Sequence, residues 1–274
     1  MIKMLLASLG VGGAKIDLVL EQEEVRMGET ITGEIHLKGG DVDQSIRGFS
    51  VDFCVESQLA GIEIKECVCS IPVTDEAITL KAGEERTYPF SFTCPEFLPF
   101  SYNLDKGGIW SFDDTQQQVT NTKFYFKTNL DIALAKDVKD RDTINVLPAG
   151  IVKNFLEACW RLGFFLRGES YWGERYGKAQ SFHLVPRGWM RGKFDEIKFV
   201  YIPSRTKSEM EVGFEVDRST TGIKGVLYDK LDMDEVKGGH IFSKEDLATV
   251  EKAEETIKYF ILEKAKKLKG VNLY

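Results

Sequence analysis

Apolar and polar residues alternate along most of the first 135 residues, in short segments separated by turn residues. The apolar members are Ile16, Leu18 and Leu20, then Ile31, Ile35 and Leu37, then Phe49, Val51, Phe53 and Val55, then Tyr88, Phe90 and Phe92. Further segments of this kind cover 62–73, 109–112 and 123–134. A period of two is typical of strands with one buried face. The succession of strands and turns predicts an antiparallel β-sandwich.

The segment 124–148 changes character twice. It begins as an alternating strand, continues as a charged run from Lys136 to Asp142, and ends at Pro148, which can open a helix. Charged side chains are rarely buried without partners, so we predict a solvated hinge in the charged run. The N-terminal sandwich is therefore expected to cover residues 1–135.

Helical spacing appears for the first time after Pro148. The apolar residues that share this spacing are Ile151, Val152, Phe155, Cys159 and Leu162, and Gly163 is a natural C-terminal cap. Alternation returns over 164–171, 179–186, 196–202 and 209–217, with an edge strand expected over 223–231. We predict a second sandwich over residues 136–242, opened by a helix over 148–163.

The two ends of the chain carry further helical patterns. In the tail, Ser243 and Asp246 have the spacing of a capping box, and the apolar stripe from Leu247 to Leu268 ends near Gly270. We expect a helical extension over 243–274 that packs on its own domain. A short helix over 2–9 is expected to act as a cap.

Composition narrows the functional class. The chain has 274 residues and a net charge of −7 at pH 7, which disfavours a nucleic-acid partner because such proteins present a basic face. No apolar run reaches the roughly 18 residues that cross a bilayer. The odd count of five cysteines disfavours a disulfide framework. We therefore expect a cytoplasmic protein with reduced thiols and no transmembrane segment.

Candidate chemistry is sparse. Four thiolates could in principle bind zinc, namely those of Cys54, Cys67, Cys69 and Cys94. However, a C-x-C pair on a strand is a poor chelate. The acids at 137, 140 and 142 have a calcium-like spacing, yet the glycine and terminal glutamate of such a loop are missing. His36, His183 and His240 belong to no catalytic motif. We expect no cofactor, no metal and no enzymatic activity.

Aromatic residues concentrate around the first strands of the second domain. Trp172, Tyr176 and Trp189 are the candidate interaction surface, beside Tyr171. Tyrosine and tryptophan give a large contact area with a polar group, which suits a protein partner. The same residues on a sandwich also suit a carbohydrate, and burial in the core is the third interpretation.

Several segments, in this order, resemble the bacterial sporulation-control family, stage-zero sporulation protein M. They are 5–17, Gly33 with Gly39-Gly40, Tyr88 to Phe92 before Pro95 and Pro99, Thr128 to Pro148, Leu162 to Phe164, Arg191 to Glu196, and Glu215 to Arg218. Two features depart from the family pattern: Met27-Gly28 stands where a Pro-Gly turn is expected, and the loops around Trp172 and Trp189 are more elaborate.

The resemblance implies a fold and a function. The fold is mainly β, with two tandem arrestin-like sandwiches. The function is non-catalytic regulation through protein partners. Because sandwiches leave open edges, a homodimer through an edge strand or the terminal helix is a further interpretation. The alternatives are a carbohydrate-binding module that uses Trp172 and Trp189, and a metal hydrolase, which requires bound zinc.

Overall fold

The computed structural model of the protein describes residues 12–74, 76–101, 119–120, 122–133, 138–203, 209–217 and 235–268. The chain forms two compact units. Unit 1 comprises 1–56, 65–95 and 123–147, and unit 2 comprises 57–64, 96–122 and 148–274. The helix predicted over 2–9 and the strands predicted over 109–112 and 223–231 lie outside the described residues.

The described elements are mostly strands. In unit 1 and its hairpin they are β1 Lys15–Leu20, β2 Glu24–Arg26, β3 Thr30–Lys38, β4 Gln44–Leu59, β5 Ile62–Thr74, β6 Ile78–Leu80, β7 Glu85–Thr93, β9 Lys123–Ile132 and β10 Val138–Leu147. In unit 2 they are β8 Val119–Thr120, α1 Gly150–Arg161, β11 Phe164–Tyr171, a 3₁₀ turn Glu174–Tyr176, β12 Gln180–Pro186, β13 Glu196–Ile202, β14 Glu209–Asp217, β15 Glu235–Ser243 and α2 Val250–Ala265. The mainly β class is confirmed.

Unit 1 contains two sheets, as the alternating pattern predicts. One has the order β1-β3-β7, and the other has the order β2-β10-β9-β4-β5 with β6 paired to β4. Inward-facing phenylalanines fill the space between the two sheets. The ring centre of Phe126 lies 5.2 Å from that of Phe53, 5.4 Å from that of Phe90 and 5.2 Å from that of Phe92. This aromatic cluster is the centre of the core.

Glycines in unit 1 mark close backbone contacts. A Cβ added to Gly39 would lie 2.0 Å from the carbonyl oxygen of Lys81, and one on Gly40 would lie 2.1 Å from that of Gly12. Neither contact involves a flexible side chain, so the backbone itself must move to admit a methyl group. The Gly39-Gly40 segment is therefore required by packing.

Gly39→Ala is expected to destabilise unit 1 by at least about 2 kcal/mol, because the new methyl group overlaps backbone atoms. Hydrogen exchange of unit 1 peptides measures the loss of protection. Gly239→Ala is the matched control, because a Cβ there meets no atom within 4 Å. Equal protection in the two variants would contradict the close contact.

Unit 2 places helices on one face of a six-stranded sheet with the order β15-β14-β13-β12-β11-β8. The ring of Phe155 on α1 meets Phe199 edge-on at 5.1 Å, and Phe260 on α2 meets Phe214 at 5.1 Å. The predicted helix over 148–163 and the docking of the terminal helix on its own unit are confirmed. The described residues of unit 2 include one sheet, so the second sheet of the sandwich stays a prediction.

Residues 138–142 of the charged run predicted as a hinge form part of strand β10, and Lys136 and Asp137 lie outside the described residues. The residues of β10 pair with β9, with Asp140 opposite Thr128 and Asp142 opposite Phe126. The hinge prediction is wrong because the charges find partners: Arg141 donates to Glu56 and stacks on a tyrosine ring. The predicted boundary at 135 thus falls ahead of a strand of unit 1. As independently folding domains, the ranges 1–135, 136–242 and 243–274 stay predictions.

The terminal helix begins later than predicted. Ser243 and Asp246 do exchange capping-box hydrogen bonds, but Ser243 ends β15, and the helix starts at Val250. Thr249 caps it, because its Oγ1 accepts from Lys252 N at 3.2 Å. Strand β15, which contains His240, was not predicted.

Candidate functional site

The hairpin of β11 and β12 separates the predicted aromatic residues. Trp172 follows the end of β11 and Tyr176 lies in the adjacent 3₁₀ turn, whereas Trp189 follows the end of β12. Because the two strands are antiparallel, these positions lie at opposite ends of the hairpin. The structure therefore brings Trp172 and Tyr176 together and leaves Trp189 about 20 Å or more away, at 3.3 Å per residue of strand.

Trp172 and Tyr176 have different surroundings. Trp172 is half-buried, since its Nε1 donates to Ser181 Oγ at 3.2 Å and Lys198 Nζ lies 5.8 Å from its ring. Tyr176 is 44% exposed, and the guanidinium of Arg175 lies 5.6 Å from its ring. Only the tyrosine therefore presents a substantial aromatic area to solvent at this end.

Trp189 lies beside the C-terminal end of α1. Gly163 O accepts hydrogen bonds from Arg187 N at 2.8 Å and Gly188 N at 3.1 Å. The contact is so close that a Cβ on Gly163 would lie 2.6 Å from Gly188 Cα, and Gly163 has φ +81°. These two glycines fix the loop that carries Trp189 against the end of the helix.

Two exposed aromatic residues that the sequence analysis missed lie on the helices near this loop. Trp160 in the last turn of α1 is 37% exposed, as is Trp189, and Tyr259 on α2 is 68% exposed. Lys258 Nζ lies 5.4 Å from the ring centre of Trp189, which connects α2 to the loop. Helical spacing could have identified them, because Trp160 and Tyr259 lie outside the apolar stripes of their helices.

We call Trp160, Trp189, Tyr259, Lys258 and Arg191 the aromatic–basic surface. Arg191 is exposed and follows Trp189 by two residues, in a loop with no acidic residue from 187 to 193. Its positive charge contrasts with the net charge of −7 of the whole chain. Exposed Glu255 precedes Lys258 by three residues on α2, so the positive charge of this surface is concentrated at the 187–193 loop, and this loop favours an acidic binding partner with apolar groups.

His183 and Glu196 pair on the face of the unit 2 sheet that is opposite the helices. His183 Nδ1 lies 2.7 Å from Glu196 Oε1, and this hydrogen bond lowers the pKa of Glu196. Such a pair is two thirds of a hydrolytic triad, which also needs a nucleophile on the free ring nitrogen. The hydroxyl of Ser181, two residues along the strand, donates instead to Ser170 O at 3.4 Å. The geometry indicates a hydrogen-bonded pair on the sheet surface.

Three carboxylates converge in unit 1. The oxygens of Asp17, Asp140 and Asp142 lie within 4.8 Å of one another, the one such group in the part of the chain that the structure describes. Burial, and then the charge of Asp140, raise the pKa of Asp142 to about 7. Hard carboxylate oxygens can hold a divalent cation, but three are fewer than Ca²⁺ normally takes. A pKa of about 7 leaves Asp142 partly protonated near neutral pH.

Asp142→Asn is expected to stabilise unit 1 above pH 7 by about 1 kcal/mol after solvent screening. The pKa is about 7 in the folded state and near 3.8 in the unfolded state. The folded state therefore binds more protons between these values, and stability falls as pH rises to 7. The amide removes this loss.

Thermal unfolding of Asp142→Asn between pH 4 and pH 9 tests this pH dependence. The advantage should grow from pH 4 to pH 7 and then level off. Glu24→Gln removes an exposed carboxylate from the same unit and is the control. An advantage of Asp142→Asn that is constant across pH would contradict the raised pKa of Asp142.

A buried polar network lies in unit 2. Glu169 is 2% exposed and accepts from Thr122 N at 3.2 Å, from the Thr122 hydroxyl, and from Gln180 Nε2 at 2.7 Å. Gln180 also bonds both backbone polar groups of Phe100. A carboxylate so enclosed by donors offers no access to a substrate. It connects three separate chain segments of the unit.

Comparison with known proteins identifies the family. A family model described as SpoOM protein matches residues 2–220. The chain belongs to the SpoOM family. The sporulation-control protein spo0M of Bacillus subtilis (strain 168) is 30% identical over 267 residues, which covers 93% of this chain and 95% of that protein. The resemblance drawn from the order of sequence segments is confirmed.

A solved structure supports the fold of this SpoOM family member. The crystal structure of Spo0M, sporulation control protein, from Bacillus subtilis matches with a TM-score of 0.68 and 26% identity, covering 92% of this chain and 99% of that chain. Membership in a sporulation-control family supports a regulatory role. In the described residues, no helix is long and apolar enough to span a membrane.

Proposed function

We propose that this SpoOM family member is a non-catalytic cytoplasmic adaptor that regulates by binding protein partners at the aromatic–basic surface. The observation that carries the proposal is the exposure of Trp160 and Trp189 at the C-terminal end of α1, with exposed Tyr259 next to Lys258 on α2. Large exposed aromatic residues cost solubility, and they recur as the dominant contacts of protein interfaces.

The chemistry of the surface favours an acidic protein segment with an apolar anchor. Lys258 stacks near Trp189, and Arg191 is exposed beside it. An acidic partner gains from both cations and is steered toward them, whereas the acidic remainder of the chain repels it. Binding should therefore weaken as salt rises.

The position of the tryptophans disfavours the carbohydrate alternative. A sugar-binding platform needs its aromatic rings side by side, but Trp172 and Trp189 lie at opposite ends of one hairpin. An interaction role for Trp172 and Tyr176 stays a prediction, and the same experiment tests it.

Affinity isolation from native cell extract tests the proposal, with the intact chain and three variants as bait. Trp160→Ala and Trp189→Ala remove the aromatic side chains at the proposed surface. Tyr176→Ala removes a comparably exposed ring from the opposite end of the hairpin and is the matched control. Quantitative mass spectrometry then compares the recovered proteins.

Acidic partners lost with the tryptophan variants and kept with Tyr176→Ala would support the proposed surface. Loss with Tyr176→Ala alone would move binding to the other end of the hairpin. Recovery of no partner, together with a saturable change in tryptophan fluorescence on adding sugars, would replace the adaptor by a carbohydrate-binding module. Light scattering of the pure protein tests the predicted homodimer.

A further inference from the structure

Cys54 and Cys67 lie on neighbouring strands of one hairpin. β4 and β5 are adjacent in the six-stranded sheet and are joined by Ala60 and Gly61, with φ of 50° and 81°. Positive φ at both residues of a two-residue loop defines a type I′ turn. Such a turn places Leu59 opposite Ile62.

Counting back from the turn places Cys54 directly opposite Cys67. The burial pattern agrees with this register, because it pairs Ser57 with Ile64 and both are buried. Pairs alternate along an antiparallel ladder, beginning with a hydrogen-bonded pair beside the turn. The cysteines are the fifth pair beyond it and so form a non-hydrogen-bonded pair.

Non-hydrogen-bonded pairs have the spacing that a disulfide needs. Their Cα atoms lie about 4.5 Å apart, within the range of about 4.4–6.8 Å that disulfides span. The bond from Ser70 Oγ to Asp52 Oδ1, 2.7 Å long, shows that the register shifts by one residue farther from the turn, beyond the two cysteines. Both cysteines are free thiols.

We propose that Cys54 and Cys67 form a reversible cross-strand disulfide by exchange with a low-molecular-weight disulfide such as glutathione disulfide. This modification site is independent of the proposed adaptor function. Cysteine pairs in reducing compartments that do form disulfides are typically redox-responsive.

The difference in burial sets the order of the two steps. Cys67 is exposed, whereas Cys54 is 5% exposed, and burial together with the nearby Cys67 raises the pKa of Cys54 to about 11. Cys67 therefore meets the external disulfide first, since the thiolate is the attacking species and must reach it.

The exchange balances as two thiols plus one external disulfide giving one protein disulfide plus two external thiols. In the first step Cys67 Sγ, having lost its proton, attacks one glutathione sulfur; the external S–S bond breaks and the leaving thiolate takes up a proton. In the second step Cys54 loses its proton and attacks Cys67 Sγ, which releases the second glutathione as a thiolate that is then protonated.

The disulfide would fix the edge of the sheet. β5 ends the order β2-β10-β9-β4-β5, and the new bond would link it covalently to β4. Edge strands are held from one side only and are the first to separate. We therefore expect slower hydrogen exchange in β5 after oxidation.

Peptide mapping after incubation of the intact protein with glutathione disulfide tests the proposal. The expected product is a Cys54–Cys67 linked peptide that dithiothreitol removes. Cys54→Ser should stop at the first step and accumulate glutathione on Cys67, and Cys67→Ser should lose the linked peptide. Cys69→Ser is the matched control on the same strand and should retain it.

Three outcomes would overturn the proposal: no linked peptide in the parent protein, a Cys67–Cys69 link in its place, or loss of the link in Cys69→Ser. Cys67→Ser keeps the test informative if Cys54→Ser fails to fold, because Cys67 is exposed and its replacement leaves the core unchanged.

Discussion

Glu169→Ala is expected to lower the free energy of unfolding of unit 2 by about 3 kcal/mol. The substitution leaves Thr122 N and Gln180 Nε2 without the carboxylate that accepts their hydrogen bonds inside the unit. Each buried donor then bears its desolvation cost, and the truncated side chain leaves a cavity. Together these effects produce a loss of unfolding free energy that is unusually large for the replacement of one polar residue.

Glu169→Gln separates hydrogen bonding from volume. The amide keeps the size of the side chain but turns a donor toward surrounding donors, so we expect a loss of about 2 kcal/mol. Glu174→Ala, at an exposed site on the same hairpin, should stay within about 0.5 kcal/mol.

Urea unfolding followed by tryptophan fluorescence measures both Glu169 variants, because all four tryptophans belong to unit 2. If Glu169→Ala were as mild as Glu174→Ala, the network would not support the unit.

Phe126→Ala is expected to cost unit 1 about 4 kcal/mol, the largest effect in that unit. Phe126 is fully buried and contacts the rings of Phe53, Phe90 and Phe92, which come from both sheets. Truncation removes the central ring of this cluster, and its neighbours cannot collapse fully into the space.

Phe126→Leu is the control, because it stays apolar and loses less volume; we expect about 1.5 kcal/mol. Hydrogen exchange separates the units, and protection should fall in unit 1 peptides while unit 2 peptides keep theirs. A similar loss in both units would show that the cluster supports more than its own core.

The alternating strands could be predicted from the sequence because one face of each is buried. The segments 164–171 and 209–217 match β11 and β14 in both bounds. The local pattern is sufficient there, since a period of two specifies both the element and its inward face. The helix after Pro148 was predicted from a different local pattern, the helical spacing of its apolar residues.

Strand β10 could not be predicted, because the state of its charges depends on distant residues. Arg141 is paired with Glu56 and lies 3.7 Å from the ring of Tyr125. Burial, followed by the charges of Asp140 and of Asp17 from the other sheet, raises the pKa of Asp142 to about 7. A charged run looks solvated when these partners are unknown. The same holds for β15, whose inner face is recognisable only through its pairing with β14.

The candidate site could be predicted only in part. Sequence analysis identified Trp189, and helical spacing could have added Trp160 and Tyr259, which lie off the apolar stripes of α1 and α2. It grouped Trp189 with Trp172, because a count of residues does not show that the two lie at opposite ends of a hairpin. The contact of Gly163 with Gly188, which fixes the Trp189 loop at α1, depends on the tertiary fold.

The central claim is that this SpoOM family member regulates by binding an acidic protein segment at the aromatic–basic surface. Calorimetric titration of the isolated partner into the parent protein, Trp189→Ala and Tyr176→Ala tests it most directly. We predict at least about 30-fold weaker binding for Trp189→Ala, the effect of losing a dominant interface residue, and parent-like binding for Tyr176→Ala. Parent-like affinity for Trp189→Ala, or binding insensitive to salt, would contradict the account.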